Sequence, residues 1–213
     1  MLKGGITLIN PWEQINLDIY ETHMKSDNVF QLQTLNLITK QQISRTDNTN
    51  IAILGVAGGN GLCNIDITKT RKVYGIDVNR EYLEICKKRY PKLSNVLELI
   101  CCDLSNPNTI LPFSDILICN LIIEYLGVAG FTDLIINNKE NINVISCVIQ
   151  ENNNNDFVSS SGLSSAFSPL LSIHNDIDGA ELIKSLLKVG FHCTKNSRYP
   201  LPNGKNFVQM DFK

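Results

Sequence analysis

Residues 51–61 read Ile51-Ala52-Ile53-Leu54-Gly55-Val56-Ala57-Gly58-Gly59-Asn60-Gly61, an apolar run that breaks abruptly into glycine. The apolar part has the make-up of a buried strand, and the glycines behind it permit a turn with unusual backbone angles and close approach to a ligand. A nucleotide-like molecule is the expected guest. Twenty-two positions after Gly55, a second apolar segment, Val73-Tyr74-Gly75-Ile76, ends in Asp77, where a ribose-binding carboxylate would sit beside such a loop.

Working outward toward the C-terminus, strand and helix alternate. The first strand is Ile51 to Leu54, with a short helix near Asn60, and the second is Lys72 to Ile76. Asn79 is placed to cap a helix carrying Tyr82, Ile85, Cys86 and Arg89, which Pro91 stops. Strand three, Val96 to Cys102, ends at Asp103; strand four, Ile116 to Cys119, ends at Asn120; a helix through Phe131 to Ile136 leads to strand five, Ile142 to Ile149. Strands this apolar, separated by helices, predict a doubly wound α/β fold with a mostly parallel sheet covered on both faces.

The last third changes character. Phe157 to His174 is serine-rich and contains Gly162 and Pro169, as expected of a long loop over the carboxyl edge of the sheet. Asp178 and Glu181 form a capping-box pattern for a helix through Leu182, Leu186 and Leu187, with Gly190 at its end. Phe191 to Tyr199 and Asn206 to Phe212 are two strands joined through Pro202-Asn203-Gly204, and Asn-Gly marks a hairpin turn.

Upstream of the glycine loop, Trp12, Ile15 and Ile19 recur at helical spacing, and Ser26 and Asp27 offer caps for a second helix carrying Leu32, Leu35 and Ile38. Polar Arg45 to Asn50 reads as a linker. The expected division is an N-terminal helical cap and linker over 1–48 and a ligand-binding domain over 49–213.

Composition narrows the function. The 213 residues are 43% hydrophobic and 19% charged with a formal net charge of −2, so no broad positive field favours a nucleic-acid partner. The run Lys87-Lys88-Arg89 reads as a solvated helix end. Seven cysteines fall mostly in apolar strands, with neither a C-x-x-C pair nor a histidine at metal spacing; they predict core thiols in a reducing cytoplasm and no metal site. Neither an export signal nor a membrane span is indicated. Asn152-Asn153-Asn154-Asn155 reads as a loop.

The glycine loop, Asp77, Asp103, Asn120 and the terminal hairpin together resemble the class I S-adenosylmethionine-dependent methyltransferases over roughly Asn50 to Lys213. The resemblance implies a seven-stranded sheet of order 3-2-1-4-5-7-6, closed by the antiparallel hairpin, with S-adenosylmethionine as cofactor. It carries the family's three spaced glycines onto Gly55, Ala57 and Gly59, with Val56 among them. The ribose acid falls on Asp77 beside Val78, and the adenine-contacting acid on Asp103 beside Leu104. Asn120 falls on the residue after strand four, which faces the substrate. Two positions depart from the family pattern: the middle glycine is Ala57, and Ile53 stands where an acid often precedes the loop. Asp77 and Asp103 are also placed to cap the segments after them. The N-terminal stretches Trp12-Glu13, Tyr20-Glu21-Thr22-His23-Met24 and Gln31-Leu32-Gln33 resemble those of small bacterial methyltransferase-like proteins, which cap the cofactor and shape the acceptor pocket.

The implied reaction is methyl transfer by in-line displacement to a small-molecule acceptor, in which placement and desolvation of the nucleophile dominate. A base, where needed, comes from the acceptor side. Glu124 and His174 are the candidate catalytic residues, and Trp12, Tyr20 and Tyr125 the candidate acceptor contacts. Structural roles compete with several: a helix-start glutamate for Glu124, a place just before a helix-capping segment for His174, and helix packing for Trp12 and Tyr20; for His23 a solvated helix end is the competing reading. Asn120-Leu121-Ile122-Ile123 differs from the Asn-Pro-Pro-Tyr signature of methyltransferases acting on nucleic-acid bases or glutamine amides. The alternatives are a non-catalytic protein that binds S-adenosylmethionine and an NAD(P)-dependent oxidoreductase, the latter weakened because Ala57 replaces the glycine expected two after Gly55.

Overall fold

The computed structural model describes residues 9–44, 49–153 and 155–213. Its seven-stranded sheet has the order β3-β2-β1-β4-β5-β7-β6. The strands are β1 (Thr49–Leu54), β2 (Thr70–Asp77), β3 (Leu97–Cys101), β4 (Ile116–Asn120), β5 (Ile145–Glu151), β6 (Cys193–Pro200) and β7 (Asn206–Phe212). β1 to β5 pair in parallel, and β7 is antiparallel to both β5 and β6. The expected order and closing hairpin are both present.

Alternation along β1 sorts the core into two layers. Ala52 and Leu54 join the cluster with Phe131, Leu134 and Ile135 of α4 (Ile123–Asn138) and Leu182 and Leu186 of α5 (Gly179–Lys188). Ile51 and Ile53 point to the opposite cluster, with Leu83 and Cys86 of α3 (Arg80–Arg89). Each fully buried Leu or Ile contributes about 1.5–3 kcal/mol relative to an exposed one, so the central strands anchor both layers. Asn79 caps α3 by accepting from the amides of Glu81 and Tyr82, and Asp178 caps α5 through those of Ala180 and Glu181.

The N-terminal segment differs from expectation. Trp12, Ile15 and Ile19 do not share a helix: a 3-10 turn over Pro11–Gln14 ends at Ile15, and Asn16 caps a new helix, α1 (Leu17–Lys25). Ser26 closes α1, its hydroxyl donating to the carbonyl of His23, instead of opening the next helix. That helix, α2 (Gln31–Ile43), starts after Phe30, which takes a left-handed φ of 53° and supplies no side-chain cap. Leu35 and Ile38 of α2 pack on Val148 of β5 and Phe207 of β7. Of the expected linker, residues 45–48 lie outside the described residues, and Thr49 and Asn50 already belong to β1. Asn154 of the asparagine run also lies outside them.

Other boundaries move as well: β2 extends to Thr70 and Asp77, β3 lacks Val96 and Cys102, and β6 begins at Cys193 instead of Phe191. The short helix after the glycine loop is a 3-10 turn at Leu62–Asn64, β5 begins at Ile145 because Ile142 forms only an isolated bridge to Ser114, and α4 contains a break at Gly127, φ 68° and ψ 163°. The 157–174 stretch carries a 3-10 segment, Ser164–Ser172. No helix among the described residues is long and apolar enough to cross a membrane.

Candidate active site

Parallel strands end together, so the residues just beyond β1, β2, β3 and β4 meet at one edge. There a cavity is lined by Gly55, Ala57, Asp77, Val78, Asp103, Leu104 and Asn120, and by Trp12, Tyr20, Glu124 and Tyr125. Eleven of the residues singled out from sequence therefore converge. Val56, Gly59 and His174 do not line it.

The glycine turn is fastened to the second strand. Gly55 (φ +70°) and Val56 both donate their amides to the carbonyl of Ile76, at 2.8 and 3.1 Å. Ala57, in a left-handed φ of 48°, turns its amide onto Oδ2 of Asp77 at 2.8 Å, while Oδ1 accepts from the amide of Asn79 at 2.9 Å. Burial pushes the Asp77 carboxyl up, and these backbone donors pull against it. Val56 is fully buried behind the turn. Gly59 also packs: a Cβ there would lie 2.2 Å from the ring of Tyr90, whose hydroxyl donates to the Gly59 carbonyl.

Asp103 is held by three donors, the amide and hydroxyl of Ser105 on Oδ1 and Nδ2 of Asn10 on Oδ2. Burial pushes this carboxyl up, but those hydrogen bonds outweigh it and keep it below the ordinary range. Asn120 directs its amide to Gln42 and Thr39 of α2, so it ties the cap to the end of β4. Leu121 behind it takes a left-handed φ of 57° and lines the cavity.

The cap closes over this edge through several bonds. Asn79 donates to the carbonyl of Trp12 at 3.0 Å, and the Tyr82 hydroxyl to that of Ile15 at 2.8 Å. Arg89 pairs with Glu21 of α1 and reaches the Gly58 carbonyl. Trp12, Tyr20 and Tyr125 form an aromatic wall, with Trp12 edge-on to Tyr20 at 5.6 Å and to Tyr125 at 5.0 Å.

Glu124, at the first turn of α4, is 2% exposed. Its Oε1 accepts the Gln150 amide at 2.8 Å, and Oε2 is buried with no hydrogen-bond partner among the described residues. Burial pushes the carboxyl up to about 7. His174 stacks on Phe157, with ring centroids 3.5 Å apart, and it is Phe157 that lines the cavity. Burial lowers the His174 pKa.

Further lining residues lie outside the named candidates, two of them, His23 and Gln31, in the N-terminal stretches expected to shape the acceptor pocket. His23 is buried instead of solvated; its Nδ1 lies 2.6 Å from the Ser161 hydroxyl, and burial, then the nearby Lys205 charge, bring it down to about 4. Gln31 bonds Gln150 across 119 residues of sequence. Phe157 and Phe167 come from the serine-rich loop. The i, i+3 spacing of Tyr20 and His23 on α1 adds a local hint, since it puts His23 on the face that carries Tyr20.

No family model and no curated protein matches the sequence. Solved structures do match in fold. Magnesium protoporphyrin IX methyltransferase from Synechocystis, with bound SAH, superposes at a TM-score of 0.68 and 11% identity, covering 92% of this chain and 93% of that one. The cyclopropane synthase MmaA2 from Mycobacterium tuberculosis gives 0.69 at 8% identity, with 96% of each chain covered. An S-adenosylmethionine-dependent methyltransferase from Clostridium acetobutylicum gives 0.64 at 14% identity, covering 92% and 96%. Together with the strand order and closing hairpin, these matches show that the chain has the fold of the class I S-adenosylmethionine-dependent methyltransferases.

Proposed function

We propose that this chain binds S-adenosylmethionine and transfers its methyl group to a small-molecule acceptor. The observation that carries the reading is the convergence of Gly55, Ala57, Asp77, Asp103 and Asn120 on one cavity whose formally charged lining, among the described residues, consists of carboxylates. No lysine or arginine lines it among those residues, which suits a cationic sulfonium compound and disfavours the pyrophosphate of a nicotinamide dinucleotide.

The residues fit the cofactor. Each Asp77 oxygen accepts one backbone amide and keeps a further lone pair, so the carboxylate can still receive the two hydroxyls of a ribose. Gly55, Val56, Ala57 and Gly59 would form the turn beneath the methionine portion, Val78 and Leu104 would flank the nucleoside, and Asp103 would face the adenine. Asn120 would stand between cofactor and acceptor. When bound, S-adenosylmethionine supplies an electrophilic methyl group whose transfer leaves a neutral thioether. The chain itself orients the acceptor with Trp12, Tyr20 and Tyr125, excludes water with the cap, and offers Glu124 as the proton acceptor. His174, outside the lining, would position the Phe157 ring.

A small acceptor is supported by the apolar, covered lining and by the net charge of −2, which gives a phosphate backbone nothing to track along. Isothermal titration of the protein with S-adenosylmethionine and S-adenosylhomocysteine tests the reading. Saturable binding is expected; no heat at millimolar ligand overturns it.

A further inference from the structure

Resting on the proposed cofactor, we propose that the acceptor is an uncharged phenol whose ring lies against the aromatic wall and whose hydroxyl proton passes to Oε2 of Glu124. Four features of the cavity lead there.

The first is charge. The acidic lining residues are Asp77, Asp103 and Glu124, and no lysine or arginine lines the cavity among the described residues. Lys205 is buried nearby but commits its ammonium to the carbonyls of Asp156 and Phe157, at 2.5 and 2.7 Å. A phosphate or carboxylate on the acceptor would be desolvated beside carboxylates with no compensating cation.

The second is shape. Trp12 and Phe157 stand edge-on to Tyr125, with centroids 5.0 and 6.1 Å away and interplanar angles of 87° and 73°. Leu170 and Ile173 complete an apolar boundary. Such a wall favours a planar apolar body with a polar handle over a flexible polar chain.

The third is the unanswered oxygen. Oε2 of Glu124 is buried and has no hydrogen-bond partner among the described residues. A buried acceptor without a donor is unfavourable until something donates to it, and an acceptor molecule with an O–H does so.

The fourth is the chemistry that a base serves. A neutral amine presents its lone pair without losing a proton, whereas a hydroxyl becomes a strong nucleophile only as its proton leaves. Burial pushes Glu124 up to about 7, toward the phenolic range and away from that of ordinary carboxyls. In the step proposed, the O–H bond breaks, its proton goes to Oε2 and its electron pair stays on oxygen. That oxygen forms the new bond to the methyl carbon while the C–S electron pair returns to sulfur.

The test uses Trp12, the single tryptophan of the chain, as a reporter inside the cavity. The full chain saturated with S-adenosylhomocysteine is titrated with 4-ethylphenol, 4-ethylanisole, 4-ethylaniline and 4-hydroxybenzoate, following tryptophan fluorescence. The phenol is expected to bind about tenfold more tightly than the anisole and the anion, the difference one good hydrogen bond makes. With isotope-labelled S-adenosylmethionine, mass spectrometry is expected to find the phenol O-methylated, at a rate that rises with pH through about 7. In Glu124→Gln, methyl transfer at saturating phenol should fall about 100-fold and lose that rise, phenol affinity should drop toward that of the anisole, and circular dichroism should stay unchanged. Absence of S-adenosylhomocysteine binding would overturn the cofactor reading beneath the proposal. Cofactor binding with 4-hydroxybenzoate or 4-ethylaniline preferred, or with no phenol bound, overturns the acceptor class alone. Phenol methylation that survives Glu124→Gln overturns the proton transfer.

Discussion

The amide of Ala57 donates to Oδ2 of Asp77 at 2.8 Å, so the carboxylate proposed to bind the ribose also holds the turn proposed to lie beneath the methionine portion. Its other oxygen takes the amide of Asn79 at the start of α3. Both oxygens accept backbone donors, which dictates what an isosteric change does. In Asp77→Asn, the new amide nitrogen must face one of those N–H groups, setting donor against donor. The variant should lose roughly 1–3 kcal/mol of stability and bind S-adenosylmethionine far more weakly. Urea unfolding and calorimetry measure the two effects, and an unchanged unfolding midpoint would refute the first.

Ala57 takes a left-handed φ of 48°, a region costing an L-residue with a Cβ about 1 kcal/mol or more. Ala57→Gly removes that strain but adds chain entropy to the unfolded state, roughly 0.4–1 kcal/mol in the opposite sense. The expected net is neutral to about 1 kcal/mol stabilising, while the β-branched Ala57→Val should lose about 2 kcal/mol. Thermal unfolding of the pair decides it. A glycine variant less stable than the valine variant would contradict the backbone assignment.

Gly59, outside the cavity lining, has a packing role of its own. It combines φ +108° with a would-be Cβ 2.2 Å from Cε2 of Tyr90, a ring atom that cannot swing away cheaply. Gly59→Ala should cost roughly 2–4 kcal/mol by overpacking and backbone strain together. A double-mutant cycle separates the two. In a Tyr90→Ala background the clash is gone and the penalty should shrink to the strain alone; an equal penalty in both backgrounds would show that the ring is not the obstacle.

How far the sequence could be read depends on which forces act locally. The apolar runs at Ile51, Val73 and Ile116 placed the central strands because burial on both faces leaves no alternation to misread. Ile142 extended the fifth strand too far in that reading: the residue is apolar and 5% exposed, yet it bridges only to Ser114. Asp77 and Asp103 were legible because parallel strands bring their carboxyl ends to one edge. The acceptor side was not. Gln31 meets Gln150, and His23 meets Ser161, only because α1 and α2 fold back over that edge, a tertiary event with no local periodicity. His174 was a reasonable candidate by residue type, but its stack on Phe157 gives the lining position to a phenylalanine that carries no ionisable signal.

Glu124 makes the cap-side chemistry measurable through stability alone. Its carboxyl, ordinarily at 4.5, is raised by burial to about 7 in the folded chain. A folded pKa above the unfolded one means the proton stabilises the fold: the contribution is fully present below about pH 4.5 and is lost as pH rises through about 7. At about 1.4 kcal/mol per unit, ionising the buried group costs roughly 3 kcal/mol by pH 8. Glutamine is neutral throughout and keeps the oxygen that accepts from Gln150. Glu124→Gln should therefore match the parent near pH 4.5 and exceed its stability by roughly 3 kcal/mol at pH 8. Urea unfolding of both proteins at a series of pH values isolates this group, because every other titration is common to the two. Curves that stay parallel would mean that Glu124 is not ionised in a dry site, and would remove it as the proposed base. A gap that opens with pH would identify a carboxylate kept at a cost to the fold, as expected of a group retained for its chemistry.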